Sequence, residues 1–257
     1  MRFLFTVLLV GSLAAALPSA AQHGSPGYHM PKRLHNAQQY SYRRPPLRLT
    51  FGVNLATYNG DITSRLQDNT LRVGFGVGLV RPLSPHLSAV AELSYNKLQA
   101  VDQIPDRGLR FTGTNGVLTV LARYNFLADK SMNFGPSFST DSWQPFVEAG
   151  VGALLYDPVA SLEYSGMTIV LPPERRNSNY LYPHLGAVLP VGGGVTYRLN
   201  PYFALTLEGL YYFTSTDLLD DVSERANSKT LDKFATGTFK LEFGLRPSKK
   251  KPLVHFD

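Results

Sequence analysis

The chain has 257 residues, a formal net charge of +6 and no cysteine. The lack of cysteine excludes disulfides, thiolate metal sites and a lipid-anchored N-terminus. Hydrophobic residues make up 44%, yet apart from the N-terminus no apolar run reaches the roughly 20 residues of a spanning helix, so a membrane role would demand a closed sheet whose backbone groups satisfy one another.

Met1-Arg2 followed by the apolar stretch Phe3 to Leu17 and the small residues Ser19-Ala20-Ala21 reads as a signal peptide over 1–21, cleaved before Gln22. Residues 22–46 form a basic segment carrying Lys32, Arg33, Arg43 and Arg44, with Tyr28, Tyr40, Tyr42, Pro45 and Pro46 as anchoring surface.

Residues 47–246 hold eight segments with a period of two, the repeat that strands follow because successive side chains face opposite sides. In the first, Leu47 to Tyr58, Leu49, Phe51, Val53 and Leu55 alternate with Arg48, Thr50, Gly52 and Asn54. The second, Leu71 to Val80, sets Val73, Phe75 and Val77 against Arg72, Gly74 and Gly76. The third runs from Leu87 to Asn96, the fourth from Leu118 to Phe126 and the fifth from Val147 to Leu155. The sixth covers Val191 to Leu199, the seventh Phe203 to Phe213 and the eighth Thr238 to Leu245. Their lengths suit a tilted strand crossing a bilayer, about 9–11 residues. Phe126, Tyr95, Tyr156, Tyr197, Tyr211 and Phe213 stand near segment ends, where aromatic girdles belong.

The long connections are expected at Asn59 to Thr70, Leu98 to Gly113, Asp157 to Pro183 and Ser215 to Lys233; the short ones are Pro82 to Pro85 and Asn200-Pro201. Short periplasmic turns alternating with long outer loops are the habit of outer-membrane barrels, and an even strand count puts both termini in the periplasm. Leu127 to Ser142 breaks the rule, being long on the short-turn side; it reads as a loose loop or a periplasmic contact element. The fold class is therefore all-β: an eight-stranded antiparallel up-and-down transmembrane barrel of the outer-membrane type. A soluble barrel, apolar within and polar without, is disfavoured because the polar face is Gly, Ser and Thr with isolated Arg and Glu rather than a solvated Lys/Asp mixture.

With lipid outside, Arg48, Arg72, Arg123, Arg198 and Lys240 would line the lumen with Glu92, Glu148, Glu208 and Glu242. Near balance is what a filled interior needs, because buried charges must be paired. Eight strands enclose little more than their own side chains, so a bracing network is expected, with neither a pore nor a glycosidase-type acid pair. Two acidic outer loops, Tyr58-Asn59-Gly60-Asp61 and one carrying Asp217, Asp220 and Asp221, emerge as neighbours once strand eight closes on strand one. These aspartates make local turns or, as the sharper alternative, hold Ca²⁺. His184, with Ser178 and Glu174 nearby, is the residue a rim lipid hydrolase would use; it reads instead as a polar loop residue. No catalytic residue, metal or cofactor is expected. The basic termini, including Lys249, Lys250 and Lys251 in the tail 247–257, are solvated or dock an acidic periplasmic partner. Nucleic acid is excluded by compartment.

Several stretches resemble a Bacteroidota-type family of outer-membrane barrels of poorly defined function that includes the PorG-like subunit of the type IX secretion and gliding machinery. They are Tyr58-Asn59-Gly60-Asp61-Ile62, Pro145 to Gly152, Pro190 to Val195, Leu199-Asn200-Pro201 and Thr216 to Ser223. The resemblance implies a non-enzymatic outer-membrane barrel contacting a periplasmic ring of a secretion machine. A surface ligand-binding or adhesion barrel, working through the loop Asp157 to Pro183, is the alternative.

Overall fold

The computed structural model describes residues 34–35, 41–42, 46–59, 70–101, 108–129, 143–164, 167–171, 183–200, 202–216, 219 and 231–245. The chain divides into two units, Met1–Arg33 and Leu34–Asp257, and the described residues belong to the second. The expected signal peptide, residues 22–33 and the tail 247–257 lie outside the described residues. In the rest of the basic segment, Leu34–His35 pairs antiparallel with Ser41–Tyr42.

Eight long strands follow: β1 (Arg48–Asn59), β2 (Arg72–Pro82), β3 (Leu87–Val101), β4 (Leu109–Asn125), β5 (Trp143–Tyr164), β6 (His184–Arg198), β7 (Phe203–Thr214) and β8 (Lys233–Gly244). Each pairs antiparallel with its sequence neighbour. β8 returns to β1, from Lys233↔Asn59 to Gly244↔Arg48. The sheet is closed, as the alternation predicts. Closure leaves every strand with two partners, so no ladder edge faces the hydrocarbon.

The turns follow local chemistry. Asn200 Oδ1 accepts from the Tyr202 and Phe203 amides at 2.8 and 2.9 Å, tying the β6–β7 turn. Leu83 and Ser84 donate to the Leu87 carbonyl to close the β2–β3 turn. At the far end Gly108 takes φ 57°, a left-handed conformation natural to glycine, as the chain enters β4. The turns 83–86 and 199–202 share one end of the barrel, and short turns of this kind are what outer-membrane barrels keep on the periplasmic side.

Through the membrane the faces divide as the sequence predicts. Outward side chains include Phe51, Val53, Val77, Val120, Val151 and Leu207, with Val120 57% and Leu207 59% exposed. Inward positions carry Thr50, Asn54, Glu92, Thr119, Arg123 and Glu208, all buried. A soluble barrel would reverse the two faces. Aromatic residues frame the periplasmic edge of the apolar band: Trp143 against Tyr197 at 4.7 Å, Tyr124 against Phe126 at 5.9 Å and Phe203 against Phe243 at 5.3 Å. Phe75 stacks on Tyr95 at 5.2 Å and Tyr211 meets Phe213 at 5.1 Å toward the outer edge. Tyr156, expected in a girdle, instead turns inward, is 5% exposed, and bonds Thr216 Oγ1 at 3.0 Å.

Several strands outrun the sequence reading. β3, β4 and β5 have 15, 17 and 22 residues against 12 for β1. The expected loop Leu98 to Gly113 shrinks to 102–108. The expected loop Asp157 to Pro183 is partly strand: β5 continues to Tyr164 and a return strand, Met167–Val170, pairs with it from Ser161↔Val170 to Tyr164↔Met167. β6 and β8 likewise begin earlier than expected, at His184 and Lys233.

The physical reason is an inversion of faces. Beyond Tyr95 the outward side chains of β3–β5 include Lys97, Gln99, Thr112, Thr114 and Asp157, with Val159 still exposed, while Leu98, Ala100, Phe111 and Ala160 turn inward and are buried. Above the bilayer the outside meets water, so the apolar side must turn in. A search for lipid-facing alternation stops where that alternation changes sign.

Candidate functional site

Three layers fill the barrel, each placed by the inward register of its strands. The innermost, toward the periplasm, is ionic. Arg123 of β4 donates from Nε to Glu148 Oε2 at 2.9 Å and from Nη2 to Glu208 Oε2 at 2.9 Å, and Nη1 lies 3.4 Å from Glu242 Oε1. Its Cζ sits 4.0 Å from the centroid of the Phe146 ring. Lys240 bridges Glu92 and Glu208, both at 2.5 Å, and Arg48 donates to Glu242 at 3.3 Å. Thr206 adds a 2.7 Å bond to Glu242 and meets Thr196 at 2.8 Å. Cross-strand register makes the core of this network local: Arg123 is the ladder partner of Glu148, Thr206 of Lys240, and Arg48 of Gly244. An unpaired buried ion costs several kcal/mol, and the shared carboxylates offset that cost.

The periplasmic mouth is closed by a residue the sequence reading did not single out. Asp129, just after β4, is 2% exposed and takes a bidentate ion pair from Arg198. Its amide bonds the Pro85 carbonyl at 2.8 Å, and the Asn125 amide bonds that of His86 at 2.7 Å. The start of the anomalous β4–β5 connection thus folds under the barrel. Above it lies a cavity of about 20 Å³, lined by Arg48, Arg123, Asn125, Gln144, Arg198 and Glu242 among others. That space suits a water molecule and no organic substrate. The signal that could have found Asp129 was the length of the segment on the side where turns are short.

Next comes a carboxamide layer. Asn96 and Asn115 are opposed on β3 and β4, and Asn54 lies on β1 with its Oδ1 over Gly74, where an added Cβ would come within 2.3 Å. All three are buried, and Asn54 Oδ1, Asn96 Oδ1 and both polar atoms of Asn115 have no protein partner among the described residues. Buried polar atoms that lack protein partners are typically met by ordered water.

The outer layer is apolar. Tyr58, Leu98, Phe111, Leu154, Tyr212 and Phe234 form one buried cluster. Tyr58 meets Phe111 at 4.7 Å, and Tyr212 stacks on Phe234 at 4.3 Å. Leu219, from the β7–β8 connection, is 0% exposed and donates its amide to Asp232 Oδ2 at 2.9 Å; Tyr58 donates its hydroxyl to Asp232 Oδ1 at 2.5 Å. The last outer loop is therefore pinned into the mouth by a buried aspartate, which the sequence reading also missed.

Of the residues expected in the lumen, Arg48, Glu92, Arg123, Glu148, Arg198, Glu208, Lys240 and Glu242 are buried inside. Arg72 is not: it stands exposed at the outer rim of β2 and donates to Gln99 Oε1, from Nε at 2.8 Å. Its position at the strand's outer end lets the side chain leave the lumen for water. Tyr58 of the paired outer motifs is buried, whereas Gly60, Asp61, Asp217, Asp220 and Asp221 lie outside the described residues. No group of metal-binding side chains occurs among the described residues. His184 opens β6 with its ring 6.1 Å from that of Tyr156, and its suggested companions Glu174 and Ser178 lie outside the described residues.

No protein-family model and no curated protein matches the sequence. Among solved structures the chain is similar to Neisserial surface protein A, with 11% identity over 79% of this chain and 99% of that one and a TM-score of 0.39. It is similar to Ail, the attachment invasion locus protein of Yersinia pestis, with 11% identity over 79% and 98% and a TM-score of 0.39. A major outer membrane protein from Thermus thermophilus gives 11% identity over 77% and 99%, with a TM-score of 0.42. None of these likenesses lends this chain a residue role. Its own closed ladder and apolar girth make it an eight-stranded β-barrel of the outer membrane.

Proposed function

We propose that this barrel is a non-enzymatic structural and docking subunit of the outer membrane that engages periplasmic proteins. The observation that carries the reading is the filled interior: an apolar layer and pinned Leu219 at one end, the buried carboxamides in the middle, and the ionic network at the other end, where a water-sized cavity lies against Asp129. An interior so filled argues against a conduit or a substrate cleft within the described barrel and supports a role for its two ends. At the periplasmic end those elements are the basic segment before β1, the basic tail after β8 and the 126–142 connection, anchored at its start through Asp129. The finer assignment, on the resemblance described above, is the PorG-like barrel of a type IX secretion or gliding machine. Crosslinking of intact envelopes followed by affinity capture tests it: the expected result is recovery of periplasmic secretion components, lost when Lys249, Lys250 and Lys251 and the 22–46 cations are neutralised. Capture of no periplasmic protein sinks the reading.

A surface-binding role is supported by a separate observation, the β3–β5 projection with its return strand beyond the bilayer. Removing residues 165–182 tests it: undiminished binding to cells or matrix rejects that role and leaves periplasmic docking standing.

A further inference from the structure

The cations at the outer edge of the bilayer are not scattered evenly. Lys97 is exposed on β3, one outward position beyond Tyr95. Gln99 follows on the same face, and Arg72 of β2 is drawn toward it by donation from Nε and Nη2 to Gln99 Oε1. Its other donors have no partner among the described residues, so the fork is held but not consumed. Two residues along a strand span roughly 7 Å, which places the Arg72 head and Lys97 on the scale of one phosphate group. On β4, Thr114 stands opposite Lys97 and Thr112 opposite Gln99, adding hydroxyls on the same outward face. The nearest acidic residue described on this face is Asp157, opposite Thr114 and two strands from Lys97, about 10 Å away.

Directly beneath, toward the membrane, the wall is apolar. Val73, next to Arg72 along β2, is 63% exposed, and Phe75 at 61% stacks on Tyr95. Cations above an exposed aromatic and aliphatic wall match a molecule with an anionic head and acyl tails. Such attraction works at short range and adds up charge by charge near a membrane surface, and guanidinium–phosphate bonds are among the stronger charge-assisted ones.

We propose that the outer rim of β2–β4 is a binding site for the phosphorylated headgroup of an outer-leaflet lipid. Arg72 and Lys97 take the phosphate, Gln99 positions Arg72, and Val73, Phe75 and Tyr95 receive an acyl chain. Arg72 thus has a role at the membrane surface in place of the lumen role its sequence position suggested.

Native mass spectrometry of the purified protein in detergent, with phosphorylated lipid A and its dephosphorylated form as probes, tests the site. Arg81→Gln removes an exposed cation at the opposite end of β2 and serves as the charge control. Wild type and R81Q should retain phosphorylated lipid equally, R72Q/K97Q roughly thirtyfold less, and Q99A an intermediate amount. Heat-modifiable gel migration reports folding; should the double variant misfold, K97Q alone must show a loss of about fivefold. Equal retention by wild type and the folded Arg72 or Lys97 variants overturns the proposal, as does equal retention of the dephosphorylated lipid. Complete displacement by inorganic phosphate overturns it too, because the site would then hold a free anion.

Discussion

The part of the barrel inside the bilayer and the part projecting beyond it obey opposite rules. Within the bilayer Val120 and Leu118 of β4 face out while Thr119 and Arg123 face in; some residues earlier on the same strand, Thr112 and Thr114 face out while Leu109 and Phe111 face in. One uninterrupted ladder joins them. The strand does not change, but its solvent does. Lipid tails reward an apolar exterior and so release the interior to carry charge, whereas water outside demands an apolar interior. The carboxamides of Asn54, Asn96 and Asn115 lie where one regime gives way to the other.

The largest effect that would sharpen this contrast comes from the ionic layer. Arg123→Leu leaves Glu148, Glu208 and Glu242 without their shared cation and should cost about 3–5 kcal/mol or prevent folding. Urea titration of barrels refolded into vesicles, read by Trp143 emission, measures it; an unchanged midpoint would mean the network contributes nothing.

Phe111→Ala makes the corresponding lesion in the projection. It should cost about 3–4 kcal/mol by opening a cavity under Tyr58. Because β4 is continuous, hydrogen exchange should show the loss first in Val101, Arg110 and Ser161, with the membrane rungs protected longer. Uniform loss along β4 would show instead that the two parts unfold as a unit.

A paired substitution on the outer face tests the sign change itself. Val120→Arg puts a charge near mid-bilayer and should destabilise by about 2–4 kcal/mol. Thr112→Arg, eight positions earlier with the same outward aspect, should stay within about 0.5 kcal/mol. Equal costs would place the bilayer boundary elsewhere.

The smallest effect is expected where the exterior is bare. Gly209 faces outward with nothing within 4 Å of an added Cβ, whereas at Gly192 such a Cβ would come 2.0 Å from the Gly209 carbonyl oxygen. Gly209→Ala should therefore leave the urea midpoint within experimental scatter while Gly192→Ala lowers it. Equal midpoints for the two would show that the sheet relaxes around the added methyl.

The strand count, the closure and the lipid-facing residues of the membrane zone were legible because a period of two is a local property that each segment carries by itself. Eight of the nine lumen charges were legible for the same reason. Arg72 was not, since parity places a residue on a face but cannot say that a strand end lets its side chain reach Gln99. Asp129, Asp232 and Leu219 were hidden because each belongs to a connecting segment, where no periodicity constrains the side chain.

By itself the sequence determined which residues share a face and that those faces close into an outer-membrane barrel, since alternation is written in neighbouring positions. Only the tertiary structure decided how far the strands run beyond the membrane, where inside and outside exchange character, and which loop residues stop the two mouths. Those features depend on what lies across the barrel and on the medium at each height, and neither is encoded within a single strand.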